Sequence, residues 1–325
     1  MKRVYSGIGG QAVIEGIMMK NKTEYATAVR LGSGEIKVQK EEYVSLTERY
    51  PILALPLLRG VFSFADSMIL GMRTLEWSAS FFEEETDEEP GKFEQWLEKT
   101  FGDRLEKVVM GCSMVLAVVL AVVLFMVTPT LLSSALKKVT DNYYVIALAE
   151  GLLRLGIFIA YIAAVSRMED IRRTFMYHGA EHKCINCVEL GLPLTVENVM
   201  KSSKEHKRCG TSFLIIVMMI SILFFMFIRV EGIGMRILSR ILLVPVIAGV
   251  SYEFLRIAGR SESPIVNLLS KPGMWMQGLT TKEPTPDMCE VAIAATEAVF
   301  DWKGFLEENF GWEPEQTESG KGPEA

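Results

Sequence analysis

A mainly α, polytopic membrane protein with four transmembrane helices and a cytoplasmic α+β face is the fold class that the sequence predicts. Three observations carry that expectation. Half of the 325 residues are hydrophobic and the mean hydropathy is +0.25, yet 23% are charged, so the apolar residues must be gathered in blocks. Four of those blocks approach or exceed the roughly 20 residues that a bilayer-crossing helix needs. Ahead of them, "EYATAVRL" (24–31) and "EIKVQKEEYV" (35–44) are β-like and joined by "GSG", which predicts an N-terminal β-hairpin.

In chain order, residues 1–107 form a cytoplasmic N-terminal region. Its first 20 residues lack a continuous apolar core and carry Glu15 in their middle, so they do not read as a signal peptide. "SGIGGQAVIEGIMMK" (6–20), with Gln11 and Glu15, reads as a turn joining a strand to a helix; the alternative is a loop whose backbone N–H groups face an anionic or metal-bound ligand. The apolar stretch 51–82 is interrupted by Arg59, Asp66 and Arg73 at seven-residue spacing, which puts the three on one stripe of an interfacial or partly buried amphipathic helix rather than in a fifth span. "EEETDEEPG" (83–91) reads as an acidic linker.

The first two spans are expected at about 108–132 and 143–165, within a unit 108–165. The third and fourth are expected at about 211–229 and 233–255, with Arg236 and Arg240 forced to snorkel or pair. Glu150 and Arg154, four residues apart inside the second span, read as a mutually neutralising pair, with a transport relay as the alternative. The connection 166–210 carries eight Lys and Arg residues, whereas 133–142 carries two, which predicts that this connection and both termini face the cytoplasm. Cysteines there stay reduced. Cys184, Cys187 and Cys209 are therefore candidate ligands or core residues, whereas Cys112 and Cys289 read as small apolar packing. A C-terminal helical region, 256–312, precedes a disordered tail, 313–325. In it Asp287 is the expected cap of a helix lined by Met288, Val291, Ala295 and Val299, and "KPGMWMQGLTTKEPT" (271–285), with Trp275 and Gln277, reads as turn-rich.

Chemistry concentrates between the second and third spans. All three histidines lie within 29 residues, and His178, Glu181 and His182 form H-x-x-E-H. On a helix this spacing stacks two imidazoles one turn apart with a carboxylate beside them, the arrangement of inverted zinc proteases. Two His ligands leave room for a third ligand and a water, from which Glu181 could take a proton. Continuing the helix places Glu189 close in angle to both histidines and turns Cys184 and Cys187 away, unless the helix breaks near Asn186. "LTVENV" (194–199), capped by Thr195, would fold the chain back so that His206 meets His178. The expected metal ligands are thus His178 and His182 with His206, Cys209 or Glu189, and zinc is the first choice for such a set. A closed structural zinc site using Cys187 and Cys209, or a metal-free His–Glu network, would draw on the same residues.

The segments "GGQAVIEGIMM" (9–19), "LLRGVFSFADSMILGM" (57–72), "HGAEHK" (178–183), "LTVENV" (194–199), "HKRCGTSF" (206–213), "LLVPVIAGVSYEFLR" (242–256) and "PGMWMQGLTT" (272–281), in this order, resemble the bacterial YqhQ-type family of multi-pass membrane proteins. The resemblance implies a bacterial inner-membrane protein of a type described as a metal-dependent enzyme, and makes Cys184 the weakest ligand candidate because that position is not always cysteine in the family. The expected function is metal-dependent hydrolysis of a peptide or lipid-linked substrate at the cytoplasmic membrane surface. The alternative is a non-enzymatic factor for membrane-protein biogenesis or assembly with a structural metal. The expected partners are the lipid bilayer and a membrane-associated substrate or protein, with no nucleic acid.

Overall fold

A computed structural model describes residues 3–82, 100, 102, 105–230, 232–261 and 263–313; the acidic linker and the tail from Glu315 lie outside these. The chain opens with four strands, β1 (Gly9–Val13), β2 (Gly16–Asn21), β3 (Glu24–Arg30) and β4 (Ile36–Glu42), paired antiparallel in chain order. The expected hairpin is β3–β4, with Arg30 opposite Ile36. "SGIGGQAVIEGIMMK" is neither a strand-to-helix turn nor a ligand loop. It forms a second hairpin, in which Val13 pairs with Gly16.

Helices follow: α1 (Leu46–Arg49), α2 (Leu58–Ala79), α3 (Leu105–Val122), α4 (Thr128–Ser134), α5 (Tyr143–Val165), α6 (Glu169–Glu189), α7 (Val196–Lys201), α8 (Gly210–Phe227), α9 (Ile233–Ala258), α10 (Pro264–Thr280), α11 (Pro286–Val299) and α12 (Trp302–Phe310). Among the described residues four helical stretches are long and apolar enough to cross a bilayer: Val108–Lys138, Tyr143–Val165, Gly210–Phe227 and Ile233–Ala258. Side chains such as Val115, Leu116, Leu152, Leu223 and Leu242 stand exposed on them, as a lipid-facing surface requires. The first stretch joins α3 to α4 through a π-helical turn, Val123–Val127.

α2 is the seventh-residue stripe made real. Arg59 pairs with Glu253 of α9 at 2.5 Å, and buried Asp66 accepts from the Tyr43 hydroxyl at 2.8 Å and from the Leu46 N–H. Its other side exposes Phe64, Met68 and Ile69.

The core is a layered sandwich. One face of β2 and β3 (Ile17, Met19, Ala26, Ala28) packs on Tyr177, Ala180, Cys184, Ile185 and Val188 of α6 and on Met288, Val291, Ala292, Ala295 and Val299 of α11. The opposite face contributes Met18 and Tyr25 to a small cluster with Leu70 of α2. The expected stripe on α11 is buried; Thr285 rather than Asp287 stands at its N-cap. Residues 271–280, expected as turns, continue helix α10 through Pro272, because Gly273 packs directly on Ser212 of α8 and Met276 joins a cluster with Phe158 and Ile215. Tertiary packing there outweighs local propensity.

The expected Glu150–Arg154 pair forms and is enlarged by two further arginines. Glu150 is shared by Arg240 at 2.5 Å, Arg236 at 2.8 Å and Arg154 at 3.5 Å, so the arginines of α9 pair rather than snorkel.

Candidate metal centre

The H-x-x-E-H motif lies on α6, an unbroken helix of 21 residues, and Glu181 and His182 are buried. The imidazoles of His178 and His182 stand one turn apart with ring centroids 4.4 Å from each other. Each is oriented by a backbone carbonyl. His178 Nδ1 lies 2.9 Å from the Thr280 oxygen, and His182 Nδ1 lies 2.6 Å from the Lys204 oxygen. A carbonyl oxygen only accepts, so Nδ1 must carry the proton in both rings, and each Nε2 keeps a lone pair whenever the ring is neutral.

Cys209 comes to meet them. It is the N-cap of α8, where Sγ accepts from the Thr211 N–H at 3.4 Å, and it lies 3.3 Å from His178 Nε2. One donor atom from each of His178, His182 and Cys209 lies within 4.8 Å of the other two. Zinc–nitrogen and zinc–sulfur bonds of about 2.0 and 2.3 Å set neighbouring tetrahedral ligands roughly 3.3–3.6 Å apart. The triad thus fits a divalent ion with one ligand position left over.

The charges describe a thiolate–imidazolium contact, from which an ion would displace the Nε2 proton of His178. Burial alone would raise the Cys209 thiol, but the adjacent His178 and His182 outweigh it and hold the group well below its usual value, which favours the thiolate that a metal takes. Burial pulls His178 down, whereas the Cys209 thiolate and Glu181 pull it up, to about 9. Glu181 completes the pocket: its Oε2 is 3.8 Å from His178 Nε2, burial raises its carboxyl, and the Gly10 N–H donates to it. A Cβ at Gly10 would stand 2.8 Å from Glu181 Cγ, so the glycine entry of β1 lets the sheet close over the carboxylate.

Two expected ligands lie elsewhere. Glu189 is fully buried but occupied: Arg208 Nη2 donates to it at 2.5 Å, Arg3 Nε at 3.0 Å and the Ser6 hydroxyl at 2.9 Å. His206 is beside His182, ring centroids 5.6 Å apart, yet its Nε2 is 3.6 Å from Glu189 rather than in the triad. Burial, with Arg208 and His182 nearby, lowers His206 to about 4, so it is neutral at pH 7. Cys184 and Cys187 turn into the core, as the helical angle predicts; Cys187 rests against the Leu192 and Pro193 carbonyls and burial pushes it up to about 12. The helix does not break at Asn186, so Cys187 does not join Cys209 in a closed site.

Four positioning residues had no role in the expected ligand set. Lys183 Nζ donates to the Met200 and Ser202 carbonyls, and Asn186 Nδ2 to those of Ser203 and Glu205, which pins the 202–205 turn whose Lys204 oxygen orients His182. Buried Gln277 accepts from the His206 N–H and donates to the His206 carbonyl, both at 2.8 Å. Gly179 lets the Lys282 carbonyl approach α6, because a Cβ there would stand 2.0 Å from that oxygen.

Two outcomes follow from this shell. On an exposed helix Gly→Ala stabilises by about 1 kcal/mol. Gly179→Ala should instead destabilise by about 1–3 kcal/mol, the ordinary cost of overpacking, and displace the Thr280 carbonyl from His178; thermal unfolding and metal content check it. Glu189→Gln leaves Arg208 and Arg3 without their buried carboxylate and should cost about 3–5 kcal/mol at pH 7. Burial pushes Glu189 up, but His206, Arg208 and the Ser6 N–H hold it far below the usual carboxylate range. Its contribution is therefore complete above the ordinary glutamate value of about 4.3 and is lost as the pH falls from there toward the depressed value. The gap between wild type and Glu189→Gln in thermal unfolding should narrow on acidification.

A family model described as "Protein of unknown function (DUF1385)" matches residues 55–302. The "Uncharacterized protein YqhQ" of Bacillus subtilis (strain 168) is 32% identical over 313 residues, covering 94% of this chain and 96% of that protein. No solved structure matches the chain.

Proposed function

This chain belongs to the YqhQ-type DUF1385 family, and we propose that it is a metal-dependent hydrolase working at the cytoplasmic surface of a bacterial membrane. One observation carries the reading. Two imidazoles have their Nδ1–H groups tied to backbone carbonyls, their other nitrogens converge with the Cys209 thiol, and a buried glutamate stands beside them.

His178, His182 and Cys209 would hold the ion, and zinc suits this mixed nitrogen and sulfur set. When bound, such an ion supplies Lewis acidity and makes a water acidic enough to lose a proton near neutral pH. Glu181 is the residue that takes that proton. Burial makes it a stronger base than an exposed glutamate, and the Gly10 N–H fixes one of its oxygens. The protonated Glu181 then returns the proton to the departing group, so the reaction consumes one water and leaves the residue as it began.

The absence of Cys187 from the triad favours an open site over a closed structural one. The amphipathic α2 and the exposed Trp275 of α10 support a reading in which the site lies beside the headgroup region and takes a substrate presented by the membrane, as a peptide or a lipid-linked group. Zinc-loaded protein assayed on peptide and ester reporters, beside Glu181→Gln, tests this. Hydrolysis lost with metal retained supports it; hydrolysis equal in the two proteins removes Glu181 as the base, and hydrolysis absent from both assigns the site to a docking or assembly role.

A further inference from the structure

The membrane domain holds a second concentration of charge, on the spans α5 and α9. Glu150 lies seven residues into α5, about 10 Å along its axis, and Arg154 a turn further, near the middle of a hydrocarbon layer about 30 Å thick. Arg236 and Arg240 reach the same carboxylate from α9. All four are buried, with exposures of 1% for Glu150, 6% for Arg154, 6% for Arg236 and 4% for Arg240. Guanidinium groups do not lose their protons in proteins. Among the described residues the cluster therefore carries a surplus of two positive charges in a low-dielectric setting, where unpaired charge is costly.

The donors are unevenly used. Arg154 is engaged through all three nitrogens: Nε donates to the Phe125 carbonyl at 2.8 Å, which belongs to the π-helical turn, Nη1 to Ser221, and Nη2 to Glu150. Arg240 donates to Glu150 and, at 2.8 Å, to the Thr130 hydroxyl. Arg236 uses Nη2 on Glu150, and its Nε and Nη1 meet no acceptor among the described residues. The cluster is a fork with one carboxylate seated and one edge open. An arginine edge matches a tetrahedral oxyanion in two parallel hydrogen bonds.

We infer that Arg236, Arg240 and Arg154 form an anion site within the membrane domain that takes a phosphate group, independent of the metal centre. Free phosphate and the phosphodiester of a lipid headgroup share that chemistry.

The test uses full-length protein in an uncharged detergent, with metal chelated, and follows thermal unfolding at constant ionic strength. In one arm gluconate is replaced by inorganic phosphate; in the other phosphatidylglycerol replaces phosphatidylcholine in mixed micelles. The expected result is a saturable rise of several degrees in at least one arm. A rise in the first arm assigns the site to the free anion, and a rise in the second alone to the lipid. Arg236→Gln, which leaves Glu150 paired with Arg240 and Arg154, should abolish the rise, and Arg236→Lys, which keeps the charge without the fork, should weaken it. No rise in either arm, or equal rises in wild type and Arg236→Gln, overturns the inference.

Discussion

On the proposed reading, exchanging Cys209 for serine, or His178 and His182 together for alanine, should abolish metal binding. Losing an outer hydrogen-bond partner of a metal-bound histidine weakens binding by about 10–100-fold, so losing a ligand should exceed that. The two variants separate binding from folding. The double alanine change also leaves the Thr280 and Lys204 carbonyls without donors, at a cost of about 1–3 kcal/mol each, so part of its effect is structural. Cys209→Ser avoids this. Serine is a better N-cap than cysteine and can accept from the Thr211 N–H in place of the thiol, so α8 keeps its cap while the site loses its thiolate. Metal-to-protein ratios measured by mass spectrometry should show a metal in the wild type and little in either variant, with Cys209→Ser unfolding near the wild-type temperature of the chelated protein.

The second large effect falls on Glu181. Glu181→Gln preserves the shape of the side chain and an oxygen for the Gly10 N–H, but an amide takes no proton at neutral pH. The variant should keep its metal and lose about 10²–10⁴-fold in hydrolytic rate, the usual share of a general base. A loss of metal together with activity would instead place Glu181 among the ligands.

Much of the architecture is legible in one dimension, because a crossing helix is a property of contiguous residues. The second span, Tyr143–Val165, coincides with its apolar block, and the fourth runs three residues further, to Ala258. The histidine cluster is equally visible, since scarcity and the H-x-x-E-H spacing need no partner to be recognised. The pairing of β1, β2 and β3 is hidden for two physical reasons. "GIMMKN" is buried on both faces and lacks alternation, and the turns at Ile14–Glu15 and Lys22–Thr23 place Glu15 and Lys22 at positive φ, without the Asn-Gly that marks such turns.

Ligand choice is hidden for another reason. His206, Cys209 and Glu189 are equivalent on spacing, and what separates them is long-range. Arg3, Ser6 and Arg208 claim Glu189, and Glu189 in turn draws Nε2 of His206. Gln277, 71 residues along the chain from His206, holds the backbone that leaves Cys209 at the start of α8. Lys183 and Asn186 act on backbone carbonyls, which no residue pattern encodes. "HGAEHK" does place Lys183 and Gly179 within the motif, and their partners, the 200–202 turn and the Lys282 carbonyl, explain why those residue types stand there.

X-ray absorption at the zinc edge of the purified, zinc-loaded protein bears most directly on the centre. The proposed triad predicts one sulfur scatterer at about 2.3 Å with imidazole nitrogens and a light atom at about 2.0 Å, and loss of the sulfur shell in any zinc retained by Cys209→Ser. A zinc shell without sulfur, one with two or more sulfurs, or protein that holds no zinc at all would contradict it.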